Sequence, residues 1–405
     1  MWAVLPILAE SARPRTKHAR WARDRPVEET AGGNVAIVTE AAPPTASDVL
    51  ARAVGGLGWL TLNRPRALNA LDLGMIDAIA AALDAWEHDT DIDIVLLDGA
   101  GDRGFCAGGD VRGLYEHIKA GDPEETGVFF RAEYALNARI EEYPKPIVVF
   151  ADGITMGGGI GLAGHAAIRI VTERSKLAMP ETRIGFTPDV GGTWLLGRAP
   201  GRIGEYLALT GASIDAADAL YAGLADHFVP SANLDGLRDA LATRADPSSP
   251  TELIARSLSL SKGDETPEPP SLAAQRDWID DAFAADTVAE IVERLRARPE
   301  AAASAAADVL GELSPTGLAV TLEAVRRARD LRGLRAALEQ EYGLVMWFAT
   351  TQPDLVEGIR AQLVDKDRAP RWQPATIAEL ARGTSTQLST AASAFAYRPA
   401  TALWG

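Results

Sequence analysis

The chain has 405 residues, 47% of them hydrophobic, and a formal net charge of −16. That length and apolar content suit a globular protein of two to three domains with a sizeable core. The charge argues against a general nucleic-acid binder, which needs a basic surface, but leaves room for an anionic small ligand held by a few local Arg and Lys. Cys106 is the only cysteine, so no intramolecular disulfide, CxxC or cysteine metal cage can form.

The start, MWAVLPILAE, is short and has no basic lead-in. Arg13 to Arg25 is rich in Arg, as in a transit segment, but Glu10 and Asp24 weaken that reading. Residues 1–45 have no periodicity and are expected to be a disordered tail, which an upstream misassigned start would also produce. Leu57 to Leu62 reads as a strand. Asp72 is placed to cap a helix whose apolar face is Met75, Ile76, Ile79, Leu83 and Trp86. Ile92 to Asp98 is a short apolar strand that runs into GAGDRGFCAGGDVRGL, a glycine-rich turn before a helix. A longer helix is expected from Pro123 to Glu142, ended by Pro144 and Pro146.

The stretch Asp152 to Gly192 follows an apolar strand, Ile147 to Phe150. It holds a glycine run, the small-residue segment GLAGHAA, a strand at Ile168 to Thr172, and two carboxylates, Glu181 and Asp189. Strand, glycine turn, short helix, strand and acidic loop is a layout that can stabilise an oxyanion and set acid–base groups beside it. Helices are then expected at Ile203 to Thr210, Ala216 to Ala222 and Leu234 to Ala242. Asp246 to Pro250 and Lys262 to Pro270 read as linkers. Beyond them lie helices at Phe283 to Arg296, Ala301 to Leu310, Gly317 to Arg329, Leu334 to Thr350 and Leu355 to Leu363. The expected divisions are residues 1–45 (tail), 46–245 (α/β core), 246–382 (helical region) and 383–405 (loose Ala/Ser/Thr-rich tail). No run of about 18 apolar residues is present, so neither a transmembrane helix nor a membrane partner is expected. Cysteine usage fits a reducing cytoplasm.

Several familiar chemistries fit poorly. Gly159, Gly161 and Gly164 match the dinucleotide fingerprint GxGxxG, but DGITM separates them from the strand and too little chain remains for a crossover helix. There is no GxSxG elbow. The five histidines are scattered without metal-ligand spacing, and His165 reads as structural. Cys106 reads as a buried filler. The two glycine turns, read together, can each give one backbone N–H to a shared carbonyl oxygen. Tight packing turns would look the same.

GWLTLNRPRALNALD, GFCAGGDVR, ADGITMGGGIGL and PETRIGFTPDVGGTWLL, in this order over roughly residues 55–235, resemble the crotonase (enoyl-CoA hydratase/isomerase) superfamily. FFRAEYALN at 129–137, the pairing of Glu181 with Asp189, and DLVEGIRAQLVDKDRAPRW at 354–372 are similar to its 3-hydroxyisobutyryl-CoA hydrolase branch, and carry the likeness to about residue 382. The resemblance implies an α/β crotonase-like fold of stacked ββα units with a helical C-terminal region. It implies an oxyanion hole formed by the amides of Gly109 and Gly158, around the carbonyl of an acyl-CoA substrate. Glu181 becomes the base or nucleophile, Asp189 its acid–base partner, and Glu133 the group that binds a 3-hydroxyl. Glu181 and one further glutamate hold the water in hydratases, and that second glutamate falls here on Gly161, which counts against hydration. The implied activity is hydrolysis of a short 3-hydroxyacyl-CoA, namely 3-hydroxyisobutyryl-CoA of valine breakdown, with no metal or cofactor beyond the substrate's own CoA. Another crotonase reaction, or a silent acyl-CoA binder, are the alternatives. The family's habit implies a homo-oligomer. Arg64, Arg66 and Lys366 are candidates for the CoA phosphates, although exposed solvated cations are the commoner case.

Overall fold

The apolar runs of the sequence become strands whose alternate side chains serve two different cores. The computed structural model describes residues 47–243, 249–261, 267–382 and 387–404. In chain order, β1 (Val49–Val54) and β2 (Leu57–Leu62) lead to α1 (Leu73–Glu87), β3 (Ile94–Gly99), β4 (Gly104–Cys106), α2 (Val111–Ala120) and α3 (Pro123–Glu142). The middle holds β5 (Ile147–Ala151), β6 (Ile154–Met156), α4 (Gly158–Ala163), β7 (Ile168–Val171) and β8 (Lys176–Ala178). Next come α5 (Gly192–Gly197), α6 (Ile203–Thr210), α7 (Ala216–Ala222), β9 (His227–Phe228) and α8 (Leu234–Ala242). The rest is helical: α9 (Pro250–Ser261), α10 (Ser271–Ala274), α11 (Arg276–Phe283), α12 (Val288–Ala297), α13 (Ala301–Glu312), α14 (Pro315–Ala328), α15 (Leu334–Thr351), α16 (Asp354–Ile359), a π-helical turn Arg360–Val364, α17 (Ile377–Arg382) and α18 (Gln387–Ala396).

Six strands form one sheet in the order β1-β2-β3-β5-β7-β9, parallel except for the β1–β2 hairpin. A second parallel sheet is β4-β6-β8. Each successive pair, β3–β4, β5–β6 and β7–β8, gives one strand to each sheet, so the chain winds as stacked ββα turns. Period-two alternation decides which core each residue joins. Val95, Leu97, Ile147, Val149 and Val171 face the main core with α1 and α3. Ile94, Leu96, Val148, Phe150 and Ile170 face the other side, covered by Leu234, Leu237 and Leu241 of α8 and by Ile254 and Leu258 of α9. A sheet apolar on both faces must be covered on both.

Helix ends follow their caps. The Asp72 side chain accepts from Met75 N at 2.9 Å, and the predicted face of α1 is buried. Asp122 accepts from Glu125 N at 3.2 Å ahead of Pro123, which opens α3. The helix expected at Phe283 to Arg296 begins only at Val288, where Thr287 and Glu290 form a capping box that starts α12, and Phe283 is the last residue of α11. The short strands β4, β6 and β8 were not expected, since three residues are too few to show a period. The loose tail expected from residue 383 needs correction. Its described residues include α18, which packs against α14 and α15 with Thr390, Ala391 and Ala394 buried. Small side chains read as loose composition but suit close helix packing. The expected tail at 1–45 lies outside the described residues, as do residues 246–248 and 262–266 of the two expected linkers. From Ser47 onward the described chain is one compact unit. Among the described residues no helix is long and apolar enough to cross a membrane.

Candidate active site

The parallel strands end where the two glycine turns meet. Gly108 has φ 105° and Gly157 has φ 48°, conformations that a side chain would strain. These turns bring the amides of Gly109 and Gly158 side by side: a Cβ built on Gly158 would lie 3.3 Å from Gly109 N. Gly158 is the first residue of α4, where an N–H has no partner within the helix. Among the described residues no backbone carbonyl takes the Gly109 N–H. Two free, neighbouring N–H groups are what an oxyanion hole requires.

A cavity of about 650 Å³ opens over them. Glu133, Glu181 and Asp189 all line it, with Phe129, Phe130, Phe186 and Leu363 among the apolar walls. Glu133 reaches it because α3 buries a stripe of Phe130, Glu133, Tyr134 and Asn137 at helical spacing. Glu181 opens a single 3₁₀ turn, Glu181–Ile184, after Pro180. Asp189 sits in the turn before α5. None of the three acids is a surface charge: Glu133 is 2%, Glu181 8% and Asp189 6% exposed. Glu133 Oε1 and Glu181 Oε2 have no hydrogen-bond partner among the described residues, and neither does either polar end of Asn137. Buried acceptors left open in a pocket are groups set to meet a ligand or water.

The electrostatics follow from crowding. Burial first, then Asp189, holds the Glu133 carboxyl well above the usual carboxylate range. Glu181 is raised in the same way, by burial and then chiefly by Asp189. Asp189 is pushed up to about 7, burial outweighing the hydrogen bond that Tyr134 Oη donates to its Oδ2 at 2.7 Å. Like charges this close cannot all ionise, so the cluster keeps protons near neutrality and its titration belongs to the group.

Gly161, the position that resembles the second hydratase glutamate, has no space for a side chain. A Cβ there would lie 2.7 Å from Val190 Cβ and 2.9 Å from Asn137 Nδ2. Val190 fills this space from an unusual backbone, φ 52°, which costs a β-branched residue about 1–3 kcal/mol. The turn is therefore held from outside. His165 Nε2 donates to Val190 O at 2.8 Å, and burial lowers the imidazole to about 4, so it is neutral and structural. Cys106 is buried with its thiol pushed up to about 12, an inert filler.

Of the cations considered for phosphate binding, Arg64 lines the cavity but is already met by Asp48, Asp72 and Asp110 at 3.9, 3.0 and 3.5 Å. Arg66 and Lys366 are exposed and outside the cavity lining. Sequence reasoning missed Tyr134 and Glu341. Glu341 is fully buried, receives Gly191 N, Thr193 N and Thr193 Oγ1, and is pushed up to about 8 chiefly by burial. Its signal was a glutamate on the apolar face of α15, in step with Leu338, Tyr342 and Val345.

Residues 57–388 match the enoyl-CoA hydratase/isomerase family. A zebrafish (Danio rerio) 3-hydroxyisobutyryl-CoA hydrolase, mitochondrial, is 42% identical over 74% of this chain and 78% of its own. The human protein of that name is 41% identical over 74% of this chain and 77% of its own. Among solved structures, a carnitinyl-CoA dehydratase from Mycobacterium thermoresistibile is 46% identical, with TM-score 0.79, over 88% of this chain and 98% of its own. An enoyl-CoA hydratase from Rhodobacter sphaeroides is 43% identical, with TM-score 0.79, over 89% of this chain and 100% of its own.

Proposed function

The chain belongs to the enoyl-CoA hydratase/isomerase family, and from that premise we propose that it hydrolyses a short 3-hydroxyacyl-CoA, namely 3-hydroxyisobutyryl-CoA, to the free acid and CoA. One observation carries the reading: three buried carboxylates share a cavity with two open glycine amides, while the place for a second water-holding glutamate is sealed by Val190. The amides of Gly109 and Gly158 polarise the thioester carbonyl and stabilise the tetrahedral oxyanion. Glu181 either takes a proton from the attacking water or attacks the carbonyl itself to give a mixed anhydride that water then opens. The C–S bond breaks as the tetrahedral intermediate collapses, and the CoA thiolate is protonated: in the first route by the proton that Glu181 took from water, in the second by a proton of the carboxyl cluster that is restored when water opens the anhydride. Asp189 orients the water and shares that proton. The open Oε1 of Glu133 accepts the substrate's 3-hydroxyl. The curated relatives' name supports the substrate. The names of the two solved structures favour a second reading, addition of water to an enoyl-CoA.

A panel of 3-hydroxyisobutyryl-, 3-hydroxypropionyl-, isobutyryl- and crotonyl-CoA separates them, with thiol release and enoyl absorbance followed together. Thiol release should be at least about 100-fold faster from the hydroxylated members, because a site built for a hydroxyl rejects an analogue without one. Falling crotonyl-CoA absorbance with no thiol release would replace hydrolysis by hydration.

The pH profile gives a second expected result. The cluster titrates as a group and must release a proton, so kcat/KM should rise with pH across the neutral range, with Asp189 pushed up to about 7 and Glu181 well above its ordinary value. The Tyr134 bond favours the Asp189 anion. Tyr134→Phe removes it, so the Asp189 proton is held more tightly and the acid limb moves to higher pH. Activity at pH 6 should fall far more than at pH 8.5. A limb that stays in place would remove Asp189 from the titration.

A further inference from the structure

We propose that Glu341, on α15 of the helical C-terminal region, is a positioning residue for Asp189, so that these helices form part of the catalytic apparatus. The inference rests on the reading above, in which Asp189 takes part in hydrolysis.

The turn from Asp189 to Thr193 does not hold its shape alone. Val190 at φ 52° and Gly191 at φ 78° stand in the left-handed region, and the one backbone bond within it joins Gly192 N to Asp189 O at 2.6 Å. Three of its donors and one of its carbonyls are met by side chains from outside. Glu341 Oε2 accepts from Gly191 N at 2.6 Å. Glu341 Oε1 accepts from Thr193 N at 2.9 Å and from Thr193 Oγ1 at 2.5 Å. One carboxylate thus takes three donors from a three-residue span that begins two residues after Asp189. His165 holds the opposite side through Val190 O.

The side-chain type follows from the donors. Two backbone N–H groups need two acceptor oxygens in a fixed fork, which a carboxylate has and an amide lacks. A glutamine there would set its NH₂ against an N–H and leave one buried donor unmatched. α15 braces the acid by a second path as well. Tyr342, next to Glu341, packs edge-on against Tyr134 with ring centroids 6.4 Å apart, and Tyr134 donates to Asp189. Glu341 itself is not among the cavity-lining residues, so its effect on chemistry has to pass through the turn.

The test is a double-mutant cycle of Glu341→Gln with Asp189→Asn, assayed by thiol release from 3-hydroxyisobutyryl-CoA. A displacement of about 1 Å at a reacting group can cost about 100-fold. Glu341→Gln alone should lower kcat by about 10- to 100-fold and leave KM within about 3-fold. In the Asp189→Asn background it should cost less than about 2-fold, because the residue it positions is already disabled. Unchanged kcat in the single variant, or an equal loss in both backgrounds, overturns the proposal. If Glu341→Gln fails to fold, Thr193→Val removes one of the three bonds and should show a smaller loss with the same dependence on Asp189. A crystal structure of the variant reads the position without any assay: a displaced 189–193 turn supports the proposal and an unmoved one overturns it. Wild-type protein that releases no thiol from any panel member overturns the functional reading instead.

Discussion

Glu181→Gln is expected to lower thiol release by about 100- to 10,000-fold, the range over which a positioned acid–base group acts, while acyl-CoA affinity stays within several-fold. The substitution keeps the shape of a side chain that is 8% exposed and has one oxygen without a partner. It removes both routes open to the carboxylate, because an amide neither accepts a proton from water at neutral pH nor attacks a thioester. Initial rates with a thiol reagent, paired with calorimetric titration of CoA and of a non-hydrolysable acyl-CoA, separate chemistry from binding. A variant that keeps its rate within about tenfold would show that Glu181 is not the reacting group. A protein that only binds acyl-CoA would have no wild-type turnover to lose.

The same variant makes a statement about stability. Burial raises the Glu181 carboxyl well above its ordinary value, with Asp189, Glu341 and Glu133 adding to the rise. A carboxyl raised on folding contributes fully at low pH, and its contribution is lost as pH climbs through the folded value. Glutamine does not titrate. The Tm of Glu181→Gln should therefore match wild type in acid and exceed it in mild alkali. A site that is more stable without its acid is strained for function, and the raised pKa, the open oxygens and the left-handed Val190 all lie at this one place.

The sequence made the local parts of this arrangement readable and left the distant ones hidden. The face of α1 could be read from spacing, and the strands from apolar runs, because those signals lie within a few residues. The glycine turns showed that backbone had to approach something, but not that Gly109 and Gly158 would approach the same point. Spacing left a shared oxyanion hole and mere tight packing both open, and the family resemblance chose the first and named the two amides. Glu133 was ambiguous because a glutamate in a helix is usually solvated, and its burial depends on α3 packing beside α4. Glu341 showed only as a glutamate on the apolar face of α15: its partner Gly191 lies 150 positions away, and no local pattern names such a contact. The left-handed backbone of Val190 was equally hidden, since valine is among the residues least expected there. α18 was misread because alanine, serine and threonine signal little by themselves, yet their small side chains let it lie close to α14 and α15.

Gly158→Ala should separate the oxyanion hole from the carboxylates. The added Cβ would stand 2.4 Å from Glu133 Oε1, 3.3 Å from Gly109 N and 3.3 Å from Leu71 Cδ1. One methyl thus enters the space between the two amides and pushes on the carboxylate proposed to hold the hydroxyl. Loss of one oxyanion donor costs about 100- to 1,000-fold in kcat, and that is the expected fall. KM should rise as well, since the Glu133 carboxylate has to swing away from the acyl group. Gly113→Ala is the control: a Cβ there meets nothing within 4 Å, and it lies in α2, where alanine favours the helix. It should keep full activity with equal or higher Tm. The discriminating comparison is between acyl groups. If the methyl acts on the oxyanion hole, release from 3-hydroxyisobutyryl-CoA and the slow release from isobutyryl-CoA must fall by similar factors, because both share the thioester carbonyl. If it acts only through Glu133, the hydroxylated substrate alone suffers and the two rates converge. Convergence would move the oxyanion away from Gly158 and leave Glu133 as the group that the glycine protects.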